Sequence, residues 1–148
     1  MAALNDLNIL DGDIQNAYLN AETKEKIFFY ARDKWCSNRG RIMFIRRALY
    51  GWKSSALMWR NHISDVIGNE LGFKSSLLDP DLWMKFSITS SGSKYYAYIL
   101  VYVEDILIMD KDPSKHMDTL RDNYTVKPSS IGEPKTIFGC RCQQGILS

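Results

Sequence analysis

The chain has 148 residues, 45% hydrophobic and 24% charged, with a formal net charge of +2. That length is one domain by ordinary priors, large enough to bury most of its apolar surface, and the composition excludes a disordered chain. So small a net charge does not diagnose a polyanionic partner, although Arg39, Arg41, Arg46, Arg47, Lys53 and Arg60 crowd one stretch with few acids between them. Such a stretch is either a solvated face or a phosphate-contacting one.

Leu7 to Ile14 reads as a first short strand that runs into the acid-bearing segment DGDIQNAYLN. The polar section Ala21–Gly40 holds a strand over Ile27–Tyr30 and a turn at Ser37–Gly40, and Arg41–Leu49 is the next strand. A helix is predicted over Ser55–Leu71, because Ala56, Trp59, Ile63, Val66, Ile67 and Leu71 recur at helical spacing. Ser54 or Ser55 can cap its start and Gly72 can end it. Asp79-Pro80-Asp81 is a turn, Leu82–Ile88 a strand, Thr89–Ser93 a hairpin loop and Lys94–Val103 a long strand. Apolar residues resume at Ile106–Met109, so Glu104 and Asp105 mark the tip of a second hairpin. A short helix begins with Asp112 as cap and Pro113 in its first turn, and presents Met117 and Leu120 on one face. Short strands near Tyr124–Lys127 and Thr136–Cys142 follow. Hairpins and helices mixed without βαβ alternation predict an α+β fold, an antiparallel sheet with helices packed on one face.

Cys36, Cys140 and Cys142 form no Cys-x-x-Cys pair and have no histidine nearby, which argues against zinc and against a disulfide framework. The start MAALNDLNIL has no basic region of a secretory signal, and the apolar run Ala97–Val103 is far too short to span a bilayer. The expectation is a soluble intracellular domain with no membrane partner.

Inside a sheet a carboxylate is costly unless paired, solvated at a turn or bound to a cation. For Glu104 and Asp105 alone, a solvated turn suffices. Asp11 and Asp13, however, close the first strand. If the two strand ends are neighbours, Asp13, Glu104 and Asp105 form a like-charge cluster suited to Mg²⁺ or Mn²⁺, which take oxygen ligands. Paired ions of that kind serve phosphoryl transfer at nucleic acids. Spacing alone leaves both readings open.

The blocks GDIQNAYLN, RALYGWKSS, DPDLW, YILVYVEDILI and KPSSIGEPKTIFG, in this order, resemble the reverse transcriptase of copia-type long-terminal-repeat retrotransposons over nearly the whole chain. The resemblance implies an RNA-directed DNA polymerase palm spanning residues 1–148, an antiparallel sheet backed by helices with metal-binding acids at the strand ends. It implies Mg²⁺, or Mn²⁺, as cofactor. Its implied partners are an RNA or DNA template with primer and deoxynucleoside triphosphates. The implied compartment is the cytoplasm, with a virus-like particle or the nucleus as other settings. Asp13 matches the acid that ligates both metals, and Glu104 and Asp105 the acids of the catalytic hairpin. Tyr18 matches the aromatic beneath the incoming sugar; by itself it reads as a half-buried ring. Gly51 and Lys53 match a block ahead of a helix at the template and nucleotide site. There Gly51 permits close backbone approach, and Lys53 meets phosphate or simply solvent. Trp52 stands where the family carries leucine, and its larger ring is expected to alter local packing. Lys127 matches a lysine that protonates the leaving pyrophosphate, or is a surface lysine. Gly139 matches the strand and turn gripping the primer end, while Cys140 and Cys142 read as small apolar fillers.

The family's hairpin ordinarily reads tyrosine-valine-aspartate-aspartate, whereas this chain has Tyr102-Val103-Glu104-Asp105. Glutamate at the metal-ligand position keeps the charge and adds a methylene, so impaired chemistry is expected. The family's upstream fingers and its protease, integrase and ribonuclease H segments are expected to be absent. Two other readings compete: a non-catalytic nucleic-acid-binding or interaction remnant of a decayed element, and a different Mg²⁺-dependent phosphoryl-transfer enzyme. Tyr18 and the Gly51–Lys53 block count against the latter.

Overall fold

A computed structural model describes residues 6–133, together with 136–137 and 140–141. Backbone contacts divide the chain into two compact units, one formed by Asn16–His62 and the other by the residues on either side.

The flanking unit is built on a five-stranded antiparallel sheet. Its strands are β1 (Asn8–Asp13), β4 (Lys74–Ser75), β5 (Leu82–Ile88), β6 (Lys94–Tyr102) and β7 (Asp105–Asp110), in the order β1-β7-β6-β5-β4. Period-two alternation gives each strand two faces, and residues directly opposite across a ladder share one. Ile99 pairs with Ile108 and Val101 with Ile106, and all four are buried. The helix α3 (Ser114–Asn123) reaches this face through Met117, whose Sδ and Cε lie beneath Gly12, the partner of Ile106, and Leu120, Ile63, Val66 and Ile67 are buried as well. The other face carries Leu82, Met84, Phe86 and Ile88 of β5 opposite Leu100, Tyr98, Tyr96 and Lys94 of β6. Antiparallel sheet and helices together make an α+β fold, as the sequence predicts, consistent with a polymerase palm-like fragment. Among the described residues no helix is long and apolar enough to cross a membrane.

Gly12 shows how closely α3 sits. A Cβ there would lie 2.7 Å from Met117 Cε and 3.3 Å from Met117 Sδ. Because those atoms end a flexible side chain, Gly12→Ala is expected to cost about 1 kcal/mol. The branched Gly12→Val should cost about 2–3 kcal/mol by overpacking, as read by urea unfolding. Equal stability of the two variants would show that α3 does not press on β1.

The predicted helix Ser55–Leu71 is two elements, α2 (Ser55–Asp65) followed by a π-helical stretch over Val66–Glu70. The wider turn is closed by Leu71 N–H donating to the Val66 carbonyl at 3.2 Å. Ser55 does not cap the helix: its buried hydroxyl donates back to the Leu49 carbonyl at 2.5 Å. Asp112 does not cap α3 either, because Pro113 occupies the N-cap position, so the helix starts one residue further on than a cap at Asp112 requires. Tyr124–Lys127 forms no named strand. It makes one bridge, Ile14 with Val126, flanked by Gln15 N–H to the Thr125 carbonyl and Lys127 N–H to the Asp13 carbonyl. In place of a strand over Thr136–Cys142 stands the short hairpin of β8 (Thr136–Ile137) and β9 (Cys140–Arg141). Cys142 lies outside the described residues.

In the unit Asn16–His62, a short helix α1 (Ala17–Asn20) precedes a two-stranded antiparallel ribbon. The ribbon consists of β2 (Glu22–Tyr30) and β3 (Ile42–Arg47), with a 3₁₀ segment Asp33–Asn38 between them. The strand predicted at Ile27–Tyr30 is therefore longer, with an irregular register between Glu22 and Ile27. Ala17, Ala21, Ala31, Ala48 and Trp59 are its buried apolar residues.

Candidate functional site

Pairing of β1 with β7 sets Asp13 directly opposite Asp105, and Ile14 N–H donates to the Glu104 carbonyl at 2.8 Å. The hairpin tip is the pair Val103–Glu104, and Asp105 already belongs to β7. Val103 has φ +55°, a left-handed conformation that a β-branched residue rarely adopts. Holding it there costs on the order of 1–3 kcal/mol. Both strand neighbours of the turn are tied into ladders, which fixes where Glu104 begins.

The face that carries Asp13 and Asp105 also carries Asp11, opposite Leu107. Like charges and partial burial act together there. Burial, then the Asp13 and Glu104 charges, push Asp105 above the usual carboxylate value, while Lys127 pulls it down. Burial likewise raises Asp11, with the Asp105 and Asp13 charges adding to it against a hydrogen bond from Gly12 N–H. The counter-charge is Lys127, whose Nζ donates to Asp13 Oδ2 at 2.6 Å. That bond, with the Asp13, Glu104 and Asp105 charges, holds the ammonium above its ordinary pKa. Backbone and hydroxyl bonds lock the pair. Asp13 N–H donates to Ser130 Oγ at 2.9 Å, Ser130 Oγ–H to the Lys127 carbonyl at 2.8 Å, and Lys127 N–H to the Asp13 carbonyl at 2.9 Å.

Among the described residues no three acid, histidine or cysteine side chains converge closely enough to hold a metal ion as they stand. The donor set nonetheless suits a hard divalent cation. It is oxygen only, and Asp13 Oδ1 is buried without a hydrogen-bond partner. A buried carboxylate oxygen left unsatisfied is an uncommon and costly arrangement.

Tyr18, Gly51 and Lys53 belong to the other unit. Tyr18, half-buried on α1, packs its ring against Tyr50 at a centroid distance of 4.5 Å. Gly51 has φ +91°, which explains the glycine, and nothing lies within 4 Å of where a Cβ would be. Gly51, Trp52, exposed Lys53 and Ser54 line a concavity of ≈ 410 Å³ with Glu25 and Ile27. The larger ring of Trp52 thus forms part of that wall. Gly139 lies outside the described residues.

Sequence reasoning missed Asp110, at the far end of β7 and fully buried. It accepts hydrogen bonds from Tyr95 Oη at 2.7 Å and Lys111 N–H at 2.6 Å, and pairs with His116 Nε2 at 2.6 Å and Lys115 Nζ at 3.4 Å. No local pattern announces this network, since its partners come from β6, the residue after β7 and the helix α3. Ser130 was likewise recognisable only once its hydroxyl was seen between Asp13 N–H and the Lys127 carbonyl.

Residues 1–144 match the family model described as reverse transcriptase (RNA-dependent DNA polymerase). Over 128 residues, 78% of this chain, the sequence is 28% identical to a "Retrovirus-related Pol polyprotein from transposon RE1" of Arabidopsis thaliana. The chain spans 8% of that relative's length.

Proposed function

The chain belongs to the reverse transcriptase (RNA-dependent DNA polymerase) family, and from that premise we propose that the end of β1 and the β6–β7 hairpin is its nucleotidyl-transfer site. The observation that carries this reading is the opposition of Asp13 and Asp105 beside the strained turn bearing Glu104. Asp13, Glu104 and Asp105 would hold Mg²⁺ or Mn²⁺, with the bare Asp13 Oδ1 as one donor. Bound there, a divalent cation would supply charge neutralisation at the phosphate and would favour ionisation of the primer 3′-hydroxyl.

The chain's own residues supply the rest. Lys127 is kept protonated by its acidic neighbours and is half-exposed, so its ammonium can turn from Asp13 to the leaving pyrophosphate and donate a proton. Ser130 positions the backbone of both Asp13 and Lys127. Tyr18 and the Gly51–Lys53 concavity are assigned to the incoming deoxynucleoside triphosphate, with Gly51 leaving backbone open to it and Lys53 meeting phosphate. Gly139 is assigned to the primer end. The template is RNA or DNA.

Manganese-supported primer extension by the 148-residue chain tests the site. Weak template-directed incorporation is expected, abolished by chelation and reduced at least about tenfold by Asp13→Asn, which keeps shape and removes charge. Incorporation that survives Asp13→Asn would place the chemistry elsewhere. No metal-dependent incorporation at any concentration would favour a non-catalytic remnant.

A further inference from the structure

Gly12 owes its place to room rather than to backbone conformation. It is not among the glycines of positive φ, so its strand backbone is one that any residue adopts. A Cβ there would instead meet Met117 Cε at 2.7 Å, Met117 Sδ at 3.3 Å and Val126 Cγ1 at 3.4 Å. Asp11 and Asp13 flank this glycine in sequence, and alternation sends their side chains to the opposite face of the sheet. Met117 and Val126 therefore support, from behind, the segment that presents both acids.

That support matters because β1 is an edge strand. Its ladder with β7 fixes which residue stands opposite which, but not how far the strand end lifts out of the sheet. On the outer side the chain is held by isolated bridges, Asp11 with Gly132 and Ile14 with Val126, in place of a ladder. A glycine leaves a gap on the buried side between Leu10 and Ile14, and an unbranched methionine is suited to filling one. Met117 is not free to retreat. It follows His116, whose Nε2 pairs with Asp110 Oδ2 of β7 at 2.6 Å, both residues being buried. The helix that carries Met117 is thus anchored to the strand that carries Asp105. Val126 in turn precedes Lys127, the cation bound to Asp13, so one contact point beneath Gly12 serves both members of that pair.

We infer that Met117 is a positioning residue: by filling the space that Gly12 leaves, it sets where the end of β1 presents Asp13 to Lys127 and to a divalent cation. The inference deepens the nucleotidyl-transfer reading and rests on it for the cation. Amide hydrogen exchange by NMR on the 148-residue chain is the first test and needs no metal. Met117→Leu nearly conserves volume, so the fold should survive, but it lacks the terminal atoms beneath Gly12. It should speed exchange about tenfold at the amides of Asp13 and Lys127, which donate to Ser130 Oγ and the Asp13 carbonyl. Ile99 and Ile108, paired in the buried centre of the sheet, should stay within about twofold. Adding Gly12→Ala, unfavourable in the wild-type background, should reverse the change, because its methyl occupies the vacated space. Mn²⁺ titration, read by the EPR signal of the free ion, is the second test. Met117→Leu should weaken binding about tenfold, and Gly12→Ala/Met117→Leu should recover most of it. Equal acceleration of all four amides, unchanged exchange at Asp13 and Lys127, or a double variant worse than Met117→Leu would each overturn the inference. Wild-type Mn²⁺ affinity of Met117→Leu, with binding lost in Asp13→Asn, overturns it as well. Mn²⁺ binding that survives Asp13→Asn defeats the metal reading instead, and the exchange rates then decide the positioning role by themselves.

Discussion

Glu104→Asp should raise metal-dependent primer extension by this chain about 10²-fold. The reason lies in how firmly the backbone at Glu104 is held. Its carbonyl accepts Ile14 N–H at 2.8 Å, and Asp105 beside it is paired with Asp13. The preceding residue, Val103, is fixed at φ +55°. With the backbone tied, the additional methylene must be absorbed by the side chain, which displaces the carboxylate by about 1–1.5 Å. Catalytic groups must be held within roughly 0.5 Å, and a misplacement of about 1 Å costs on the order of 10²-fold in rate. Aspartate restores the length without changing the charge, so the Lys127–Asp13 pair and the fold should be undisturbed. Single-turnover incorporation rates with Mg²⁺ and with Mn²⁺ are the measurement. An unchanged or lower rate for Glu104→Asp would mean that the glutamate is accommodated and that the chain's activity is limited by something else.

Asp110→Ala is expected to destabilise the fold by about 3–5 kcal/mol, because removing one member of a buried, hydrogen-bonded charge cluster strands the others. Tyr95 Oη, His116 Nε2, Lys111 N–H and the Lys115 ammonium all lose their acceptor. The network matters to the site at the opposite end of β7: it ties α3 to that strand, and α3 places Met117 under Gly12, next to Asp13. Urea unfolding at pH 7 reads the loss, and a change under about 1 kcal/mol would show that the cluster is dispensable.

The pH dependence has a definite sign. Burial drives the His116 pKa below 6.5 despite the pull of Asp110. The unfolded chain therefore binds more protons just below pH 6.5, and stability falls as pH drops from there toward the folded pKa. For Asp110, burial acts upward, but the hydrogen bonds from Tyr95 and His116, then Lys111 N–H and the Lys115 charge, outweigh it and hold the carboxyl below 3.8. Its contribution is complete above 3.8 and is lost as pH falls through the folded value. Asp11 and Asp105 oppose this. Raised above 3.8, they bind protons first in the folded state and return some stability as the pH approaches 3.8 from above. Asp110→Ala should therefore remove the Asp110 contribution to the loss below pH 3.8, and should deepen the fall that begins near 6.5, because the upward pull of Asp110 on His116 is gone.

Local pattern made most of the sheet legible. Leu82–Ile88 emerged with the bounds read from sequence, and Lys94–Val103 and the hairpin at the acids within a residue, because alternation and turn chemistry are properties of neighbours along the chain. The π-helical stretch at Val66–Glu70 kept the apolar spacing of an α-helix and so could not be distinguished from one. Ser54 or Ser55, and Asp112, were read as caps because their side chains suit that role. Packing instead turned the Ser55 hydroxyl to Leu49, and a proline took the cap position at α3. The short elements α1 and β4 carried too few residues to show a period.

By itself, then, the sequence determined which residue types stand at the strand ends, the glutamate in the hairpin, and the family blocks that carry the reverse transcriptase resemblance. Tertiary structure alone decided that Asp13 faces Asp105, that Lys127 reaches Asp13 across 114 residues, and that Met117 lies beneath Gly12. The physical reason is range. Alternation is fixed residue by residue, whereas which carboxylates repel, and which cation answers them, depends on strand register, a property of two distant segments that neither encodes alone.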